Sequence, residues 1–224
     1  MDTCSRGREG EGLQGQGARA DRQGPAEAVQ EAPGPLSRSP EGPRDAAPPL
    51  KPERFVAFLR NVNQGQRGQP TTDDIRGAFD DAGCRDIRTF QSNGTVLFDA
   101  DDPASVVQVA EVAVAVRSGH AREIFWIPLA RLAEIAEIPH ADTPGLYEVT
   151  LHDGGTITAD SGEIADQAGR RRCALVASGD GWALVRNDVA QQGNATPLIE
   201  TLTGGRASSR GLPTVIRLID RFAR

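Results

Sequence analysis

The sequence predicts an α+β protein, with a ferredoxin-like split βαβ subdomain followed by a second, smaller α+β subdomain. Three observations lead to this prediction. Residues 1–52 differ in composition from the rest of the chain, and residues 53–127 read as strand, helix, strand, strand, helix, strand. Residues 128–224 continue with α and β segments, end in two helices and show no internal sequence repeat. We therefore expect a low-complexity tail and two subdomains with these boundaries.

The first region is rich in Gly, Pro, Gln, Glu and Arg and poor in side chains that build a core. Residues 1–50 contain no aromatic residue, and their sizeable aliphatic residues are Leu13, Val29, Leu36 and Leu50. Such a segment cannot bury enough apolar surface to offset the entropy of ordering its backbone. We expect residues 1–52 to be disordered.

Neither the start of the chain nor its later apolar runs have the character of a membrane segment. The stretch MDTCSRGREGEG lacks the apolar core of a signal peptide, and the run Val112 to Val116 is too short to cross a bilayer. We expect a cytoplasmic protein that does not associate with membranes. Arginine supplies every cation except Lys51, which together with the Ala, Gly and Asp content indicates a GC-rich bacterial genome.

Charge and residue spacing argue against two broad classes of function. The formal net charge of −6 argues against a nucleic-acid-binding protein, because such domains are normally basic. The cysteines and histidines lack metal-ligand spacing, so we expect no metal and no cofactor. These scattered residues are Cys4, Cys84, Cys173, His120, His140 and His152.

The first two elements of the ferredoxin-like subdomain follow from hydrophobicity and helix caps. The apolar run Phe55 to Val62 predicts a buried strand. In the next segment Thr71 and Asp74 have the spacing of a capping box, and Gly83 supplies a C-terminal stop. This pattern predicts a helix.

A hairpin is predicted next. Strand-like segments over Ile87 to Gln91 and Thr95 to Phe98 flank the pair Asn93-Gly94. An Asn-Gly pair suits a type I′ turn, in which both central residues have positive φ. We therefore expect Asn93-Gly94 to supply the turn.

The remaining elements are read from the same signals. A helix runs from Asp102-Pro103 to Val116, before Gly119, and a strand covers Glu123 to Ile127. In the second subdomain we predict a helix over 128–138, a strand over 146–151, a helix over 160–168, a hairpin of 173–177 with 182–186, and helices over 196–203 and 212–222 separated by the Gly204-Gly205 break.

The predicted topology locates a candidate site. With right-handed crossovers, the first and second strands run in the same direction. The loop after strand one and the hairpin after strand two therefore emerge at the same edge of the sheet. We expect the loop Asn63 to Gln69 to lie beside Ser92 to Gly94.

Two segments resemble the bacterial domain-of-unknown-function family 1697. They are FVAFLRNVNQGQRGQPTTDDIRGAFDDAGCRDIRTFQSNGTVLF and LIETLTGGRASSRGLPTVIRLIDRF. The resemblance covers roughly residues 53 to 223 and implies an α+β fold with a ferredoxin-like part, but no reaction. The chain matches polar positions of the family at Arg60, Asn63, Gly65, Gln91, Ser92, Arg210 and Thr214. It departs at Asn61, at the reversed order of Asn93-Gly94 and at Gly211 to Pro213, as a divergent member would.

These residues define the predicted site, which would hydrogen-bond a small anionic or polar ligand. The candidates are Arg60, Asn63, Gly65, Arg67, Gln91, Ser92 and Asn93, with Arg210 and Thr214 as further members. The sequence leaves several alternatives open. The glycine-rich loop could contact an anion or be a plain surface loop, and it lacks the Lys-Ser/Thr of a nucleotide-binding P-loop. Arg60 could bind a ligand or pair with a carboxylate.

Three classes of function remain. Ser92 could act as a nucleophile or merely stabilise the turn, and no His or paired carboxylate lies near it in sequence. We therefore expect a non-catalytic small-ligand or partner-binding domain. The alternative is a small-molecule transferase or hydrolase with its site at the same sheet edge, and the third class is a purely structural protein.

Overall fold

Two four-stranded antiparallel sheets, each covered by helices, organise the part of the chain that the structure describes. The structure is a computed structural model, and it describes residues 53–139 and 143–223. The predicted disorder of residues 1–52 concerns a segment outside the described residues. All the described residues belong to one compact unit.

The first sheet has the predicted ferredoxin-like topology. Its strands lie in the order β2-β3-β1-β4, and every neighbouring pair is antiparallel. This order confirms the split βαβ arrangement. The elements are β1 (Glu53–Leu59), α1 (Thr72–Asp81), β2 (Arg85–Phe90), β3 (Thr95–Ala100), α2 (Pro103–Ser118) and β4 (Ile124–Pro128).

The second sheet repeats that topology. Its order is β6-β7-β5-β8, which is the order of the first sheet with each strand replaced by its counterpart. A helix precedes this sheet and a helix ends the chain. The elements are α3 (Leu129–Glu137), a 3₁₀ turn (Pro144–Leu146), β5 (Tyr147–His152), α4 (Ser161–Arg170), β6 (Cys173–Gly179), β7 (Trp182–Asn187), α5 (Ala195–Thr203), β8 (Ala207–Gly211) and α6 (Leu212–Phe222). The subdomain boundary after residue 127 stays a prediction.

Two sequence predictions need correction at strand boundaries. Strand β8 lies between the last two helices, where the sequence indicated only a glycine break; its residues ASSRG carry no apolar alternation. Strand β1 ends at Leu59 rather than Val62, because Asn61 has a left-handed φ of 54° that breaks the extended backbone.

The hairpin between β2 and β3 is present, but its turn differs from the predicted type I′. Phe90 pairs with Thr95, so the connection has four residues, and positive φ occurs at Gln91 and Gly94 rather than at Asn93. Gly94 is held against the end of β1, where its carbonyl accepts the Leu59 N–H at 2.8 Å. A Cβ at Gly94 would lie 2.8 Å from Cβ of Val62. Close packing therefore sets this turn.

Local caps fix the ends of the first two helices as expected. The Thr71 hydroxyl accepts the Asp74 N–H at 3.1 Å, and the Asp74 carboxylate accepts the Thr71 N–H at 2.9 Å. This reciprocal capping box lowers the pKa of the Asp74 carboxyl below its usual value. At the end of α2, Gly119 takes the left-handed conformation.

One hydrophobic core is shared by both sheets. It contains buried side chains from β1 and β4, from β5 and β7, and from α3 and α6. Phe222 of α6 contacts Phe90 of the first sheet, with ring centroids 6.1 Å apart. The guanidinium of Arg131 in α3 lies 5.2 Å from the ring of Trp182 in the second sheet. Separate cores lie under α1 and α2 and under α4 and α5.

Corresponding positions in the two halves can be read from the strand registers. Ile124 of β4 pairs with the last residue of β1, and Ala207 of β8 pairs with the last residue of β5. Both of these edge-strand residues have their backbone N–H capped by a glutamate from the preceding helix. Ile124 donates to Glu111 at 2.7 Å and Ala207 donates to Glu200 at 3.2 Å.

Arg210 of β8 joins the second sheet to the first. Its guanidinium makes six hydrogen-bond contacts to neutral oxygens, three of which share the two hydrogens of Nη2, and it lies 4.8 Å from the centre of the Phe58 ring. The acceptors are Thr95 Oγ1, Ser208 Oγ and the carbonyls of Leu59, Asn93, Gly94 and Ser209.

This cation is buried without an opposite charge. Arg210 is 8% exposed, and no carboxylate of the described residues hydrogen-bonds to it or forms an ion pair with it. Burial lowers the pKa of Arg210 to about 9, which leaves the side chain charged at neutral pH. Its charge is therefore stabilised by carbonyl and hydroxyl dipoles and by the Phe58 ring.

We expect Arg210→Met to lower the free energy of unfolding by about 3 kcal/mol or more, since buried carbonyls that lose a donor cost roughly 1–3 kcal/mol each. Removing an unpaired buried charge acts in the opposite direction. Urea denaturation followed by tryptophan fluorescence measures the balance. Arg186→Met is the matched control, because Arg186 is an exposed strand arginine. A variant as stable as the wild type would mean that desolvation of the charge outweighs its hydrogen bonds.

We also expect Gly94→Ala to destabilise more than Gly119→Ala. Both glycines have similar φ values, 71° and 73°, but a Cβ at Gly119 meets nothing within 4 Å. The strained φ costs about 1–2 kcal/mol at either position, and crowding against Val62 adds roughly 1–3 kcal/mol at Gly94. Equal losses in urea denaturation would contradict the packing role of Gly94.

Candidate functional site

The loop after β1 and the β2–β3 hairpin meet at one edge of the first sheet, as the topology predicted. The Gln64 N–H donates to the Ser92 carbonyl at 2.7 Å. Within the loop, the Asn63 N–H donates to the Gln69 side chain at 3.4 Å. The two segments are therefore in direct contact.

A small polar pocket lies between this edge and strand β8. We call it the β1–β8 pocket; its volume is about 280 Å³. It is lined by the residues that follow β1, the hairpin, the start of α5 and the whole of β8. The lining residues are Arg60, Asn61, Val62, Asn93, Thr196, Ala207, Ser208, Ser209, Arg210 and Gly211.

The outer edge of β8 supplies backbone donors to this pocket. The Asp153 N–H donates to the Arg206 carbonyl at 3.2 Å, so Arg206 directs its backbone groups toward β5. Because backbone groups alternate along an antiparallel strand, the N–H groups of Ala207, Ser209 and Gly211 point away from β5. The Ala207 N–H donates to the Glu200 carboxylate. The N–H groups of Ser209 and Gly211 lie along the pocket.

Arg60 closes one side of the pocket and is paired with carboxylates. Its Nη2 donates to Glu200 Oε1 at 2.8 Å, and its Nε donates to the Ala207 carbonyl at 3.2 Å. A second carboxylate, Glu123, lies 3.8 Å from Nη1. The arginine side chain keeps 18% of its surface exposed. Arg60 thus ties β1 to α5 and β8 while remaining accessible from the pocket.

A cluster of three hydroxyl groups, which sequence reasoning did not identify, adjoins the pocket, and two of its residues, Thr196 and Ser209, belong to the lining. Ser209 Oγ lies 2.8 Å from Thr150 Oγ1 and 2.7 Å from Thr196 Oγ1. These three residues belong to β5, α5 and β8, so they meet only through the tertiary fold. Without a predicted strand over residues 207–211, no sequence signal marked Ser209 as part of a site.

Of the nine predicted site residues, three line the pocket: Arg60, Asn93 and Arg210. The N–H groups of Arg210 are directed at the protein oxygens described above. Asn93 is engaged through its side-chain Oδ1, which accepts the Thr95 hydroxyl at 2.8 Å, and through its carbonyl. These two residues shape the pocket by holding the hairpin against β8.

The other six predicted residues lie outside the pocket lining. Asn63, Gly65, Arg67, Gln91 and Ser92 are exposed on the loop and the hairpin. Thr214, at the start of α6, donates to Gln91 Oε1 at 3.5 Å. This contact brings the C-terminal segment to the hairpin, but on the outer rim.

The arrangement offers hydrogen-bond donors and no evident catalytic pair. In the described ranges 53–139 and 143–223, no histidine or carboxylate hydrogen-bonds to the hydroxyl of Ser92, Ser208 or Ser209. Over the same ranges, no three Cys, His, Asp or Glu side chains group in a way that could hold a metal ion. The pocket can therefore bind and orient a polar group, whereas a nucleophile in it would lack a base.

No helix in the described part of the chain combines the length and the apolar character that a membrane-spanning helix requires.

Comparisons with known proteins relate this chain to one family and to a solved bacterial structure. No curated protein matches the sequence. A solved structure, that of a conserved bacterial protein from Streptococcus pneumoniae, aligns with a TM-score of 0.49 and 12% sequence identity, covering 75% of this chain and 98% of that one. The model of the family described as "Protein of unknown function (DUF1697)" matches residues 53–177. This match spans more than half of the sequence, so the chain belongs to the DUF1697 family.

Proposed function

We propose that this protein is a non-catalytic binding domain whose β1–β8 pocket takes a small polar or anionic ligand. One observation carries the proposal: the pocket collects outward backbone N–H groups, clustered hydroxyls and a partly exposed guanidinium in a space of about 280 Å³. Oriented backbone N–H groups and arginine are the donors that proteins use for carboxylate and phosphate groups.

The charges around the pocket support an anion as the ligand. Arg210 contributes a buried positive charge that no carboxylate of the described residues neutralises by an ion pair. Arg60 brings a second positive charge, held by Glu200. A bound anion would accept hydrogen bonds from the Arg60 guanidinium, which also donates to Glu200. It would accept further hydrogen bonds from the backbone N–H groups of Ser209 and Gly211. The pocket would thereby hold the anion from two sides.

The size of the pocket limits the ligand. Sites for drug-sized molecules commonly enclose about 300–1,000 Å³, and the volume of this pocket lies just below that range. A small metabolite with a carboxylate or phosphate group therefore suits it better than a dinucleotide. The proposed compartment is the cytoplasm, and the free thiols of Cys84 and Cys173 are consistent with a reducing environment.

An enzymatic role at the same edge, as a small-molecule transferase or hydrolase, has weaker support. The serine and threonine hydroxyls of the pocket hydrogen-bond to one another and to Arg210. A hydroxyl in such a network needs a general base to become a nucleophile. Binding is therefore the better-supported function, and a partner protein could use the same donors.

We expect isothermal titration to detect saturable binding of at least one member of a panel of inorganic phosphate, short carboxylates and sugar phosphates. Arg60→Gln removes the accessible charge and should weaken that binding about tenfold, the effect of losing about 1.4 kcal/mol. Arg67→Gln is the matched control, because Arg67 is exposed on the neighbouring loop and does not line the pocket. Its affinity should stay within about twofold of the wild type.

Two results would contradict the proposal. One is the absence of heat from every member of the panel at millimolar concentration. The other is a loss of affinity in the Arg67 variant that equals or exceeds the loss in the Arg60 variant. Circular dichroism of both variants separates lost binding from lost folding.

A further inference from the structure

Strands β4 and β8 are edge strands at equivalent positions of the two sheets. They differ in what occupies their outward backbone groups. Arginine side chains occupy the outward carbonyls of β8. Arg60 donates to the Ala207 carbonyl at 3.2 Å, and Arg210 donates to the Ser209 carbonyl at 2.8 Å. Both carbonyls point outward from the sheet. A further strand could therefore not pair along β8 without displacing these side chains.

No arginine side chain of the described residues donates to the outward carbonyls of β4. The Arg60 N–H donates to the Glu123 carbonyl at 2.9 Å, so Ile124 and Trp126 direct their backbone groups away from β1. Glu111 caps the Ile124 N–H. Within residues 53–139 and 143–223, no hydrogen-bond partner reaches the Ile124 carbonyl or the N–H and carbonyl of Trp126.

The strand registers explain this difference. The residue after β1 is Arg60, and the corresponding residue after β5 is Asp153. The β8 position of Arg210 corresponds to Ile127 in β4. The two side chains that close β8 are thus replaced by an acid and an aliphatic residue, neither of which can donate to a carbonyl.

A groove runs along this open edge. We call it the β4 groove; it has a volume of about 670 Å³ and is lined by all five residues of β4. Across from β4 it is lined by the loop after β5 and by the β6–β7 turn. Three of these lining residues, Gly155, Gly179 and Gly181, have no side chain. Five residues of a strand span about 17 Å at 3.4 Å per residue. The groove therefore has the length of a short extended peptide.

The charges in the β4 groove favour a basic occupant. Asp153 and Asp180 line it, both are exposed, and neither forms an ion pair with a described residue. The basic residue in the lining is Arg131, which pairs with Glu134 and stacks on Trp182. The charged side chains of the lining therefore sum to a net negative charge.

We propose that the β4 groove binds an extended, basic peptide segment of a partner protein, which adds to β4 as a further strand. Backbone hydrogen bonds to Ile124 and Trp126 would hold the segment, and Asp153 and Asp180 would select lysine or arginine side chains. Pro128 occupies an outward position and has no N–H, so the ladder is short and the complex transient. A second copy of the chain is a poor occupant, because it would bring the same unpaired carboxylates to the interface.

The test uses a capped heptapeptide of alternating lysine and valine, added to the ¹⁵N-labelled full chain. We expect saturable shifts of the Trp126 backbone amide and about tenfold slower hydrogen exchange there. The same peptide with glutamate in place of lysine should bind about tenfold more weakly. A lysine peptide that is N-methylated at alternate backbone amides keeps its charge but cannot pair with the strand edge, and it should not bind.

Variants separate selection by charge from general attraction to an acidic protein. Asp153→Asn combined with Asp180→Asn should weaken the lysine peptide about fivefold, and the amide of position 153 can still accept the Arg206 N–H. The control, Asp188→Asn with Asp220→Asn, removes the same charge from exposed sites outside the groove and should leave affinity unchanged.

The proposal is overturned if the lysine peptide fails to saturate at millimolar concentration, or if the N-methylated peptide binds equally well. It is also overturned if the shifts map to Ser209 and Gly211 rather than to Trp126, or if the chain dimerises through β4 instead. Since the β4 groove and the β1–β8 pocket share no lining residue, failure of one proposal leaves the other standing.

Discussion

The hydrogen bonds of the Arg210 guanidinium are the interaction on which the rest of the structure depends. They connect β8 to the end of β1 and to the β2–β3 hairpin, which are remote in sequence. The guanidinium N–H groups hydrogen-bond to carbonyls and hydroxyls of the protein, and these bonds fix the positions of the segments that line the β1–β8 pocket. A lysine could not replace this fork, because it would offer a single nitrogen to acceptors on several sides.

Repeated topology gives this chain two similar edges, and a few side chains give those edges different chemistry. Glutamates cap the first N–H of both edge strands, which shows that the two halves share a local design. The halves diverge at the arginine positions: Arg60 and Arg210 donate to the outward carbonyls of β8, whereas Asp153 and Ile127 leave the outward carbonyls of β4 without a donor. Fold and backbone are common to both edges, so the chemical difference between the edges is carried by side chains.

The sequence predicted what local signals encode. The capping box at Thr71, the Gly119 stop and the alternation of strands and helices sufficed for the first sheet and for the meeting of loop and hairpin. Strand β8 was missed because ASSRG has no apolar pattern, and it is a strand through pairing with β5 and through the contacts of Arg210. The turn type was wrong because the packing of Gly94 on Val62, a tertiary contact, outweighs the usual preference of an Asn-Gly pair. The hydroxyl cluster around Ser209 could not be predicted, since its members come from three elements.

The shared core also couples the folding of the two halves. Helix α3 reaches the second sheet through Arg131 and Trp182, and α6 reaches the first through Phe222 and Phe90. Either sheet with its following helix would, on its own, expose the apolar side chains that it now buries against the other half. The two sheets therefore form one cooperative unit, although each has a complete topology of its own.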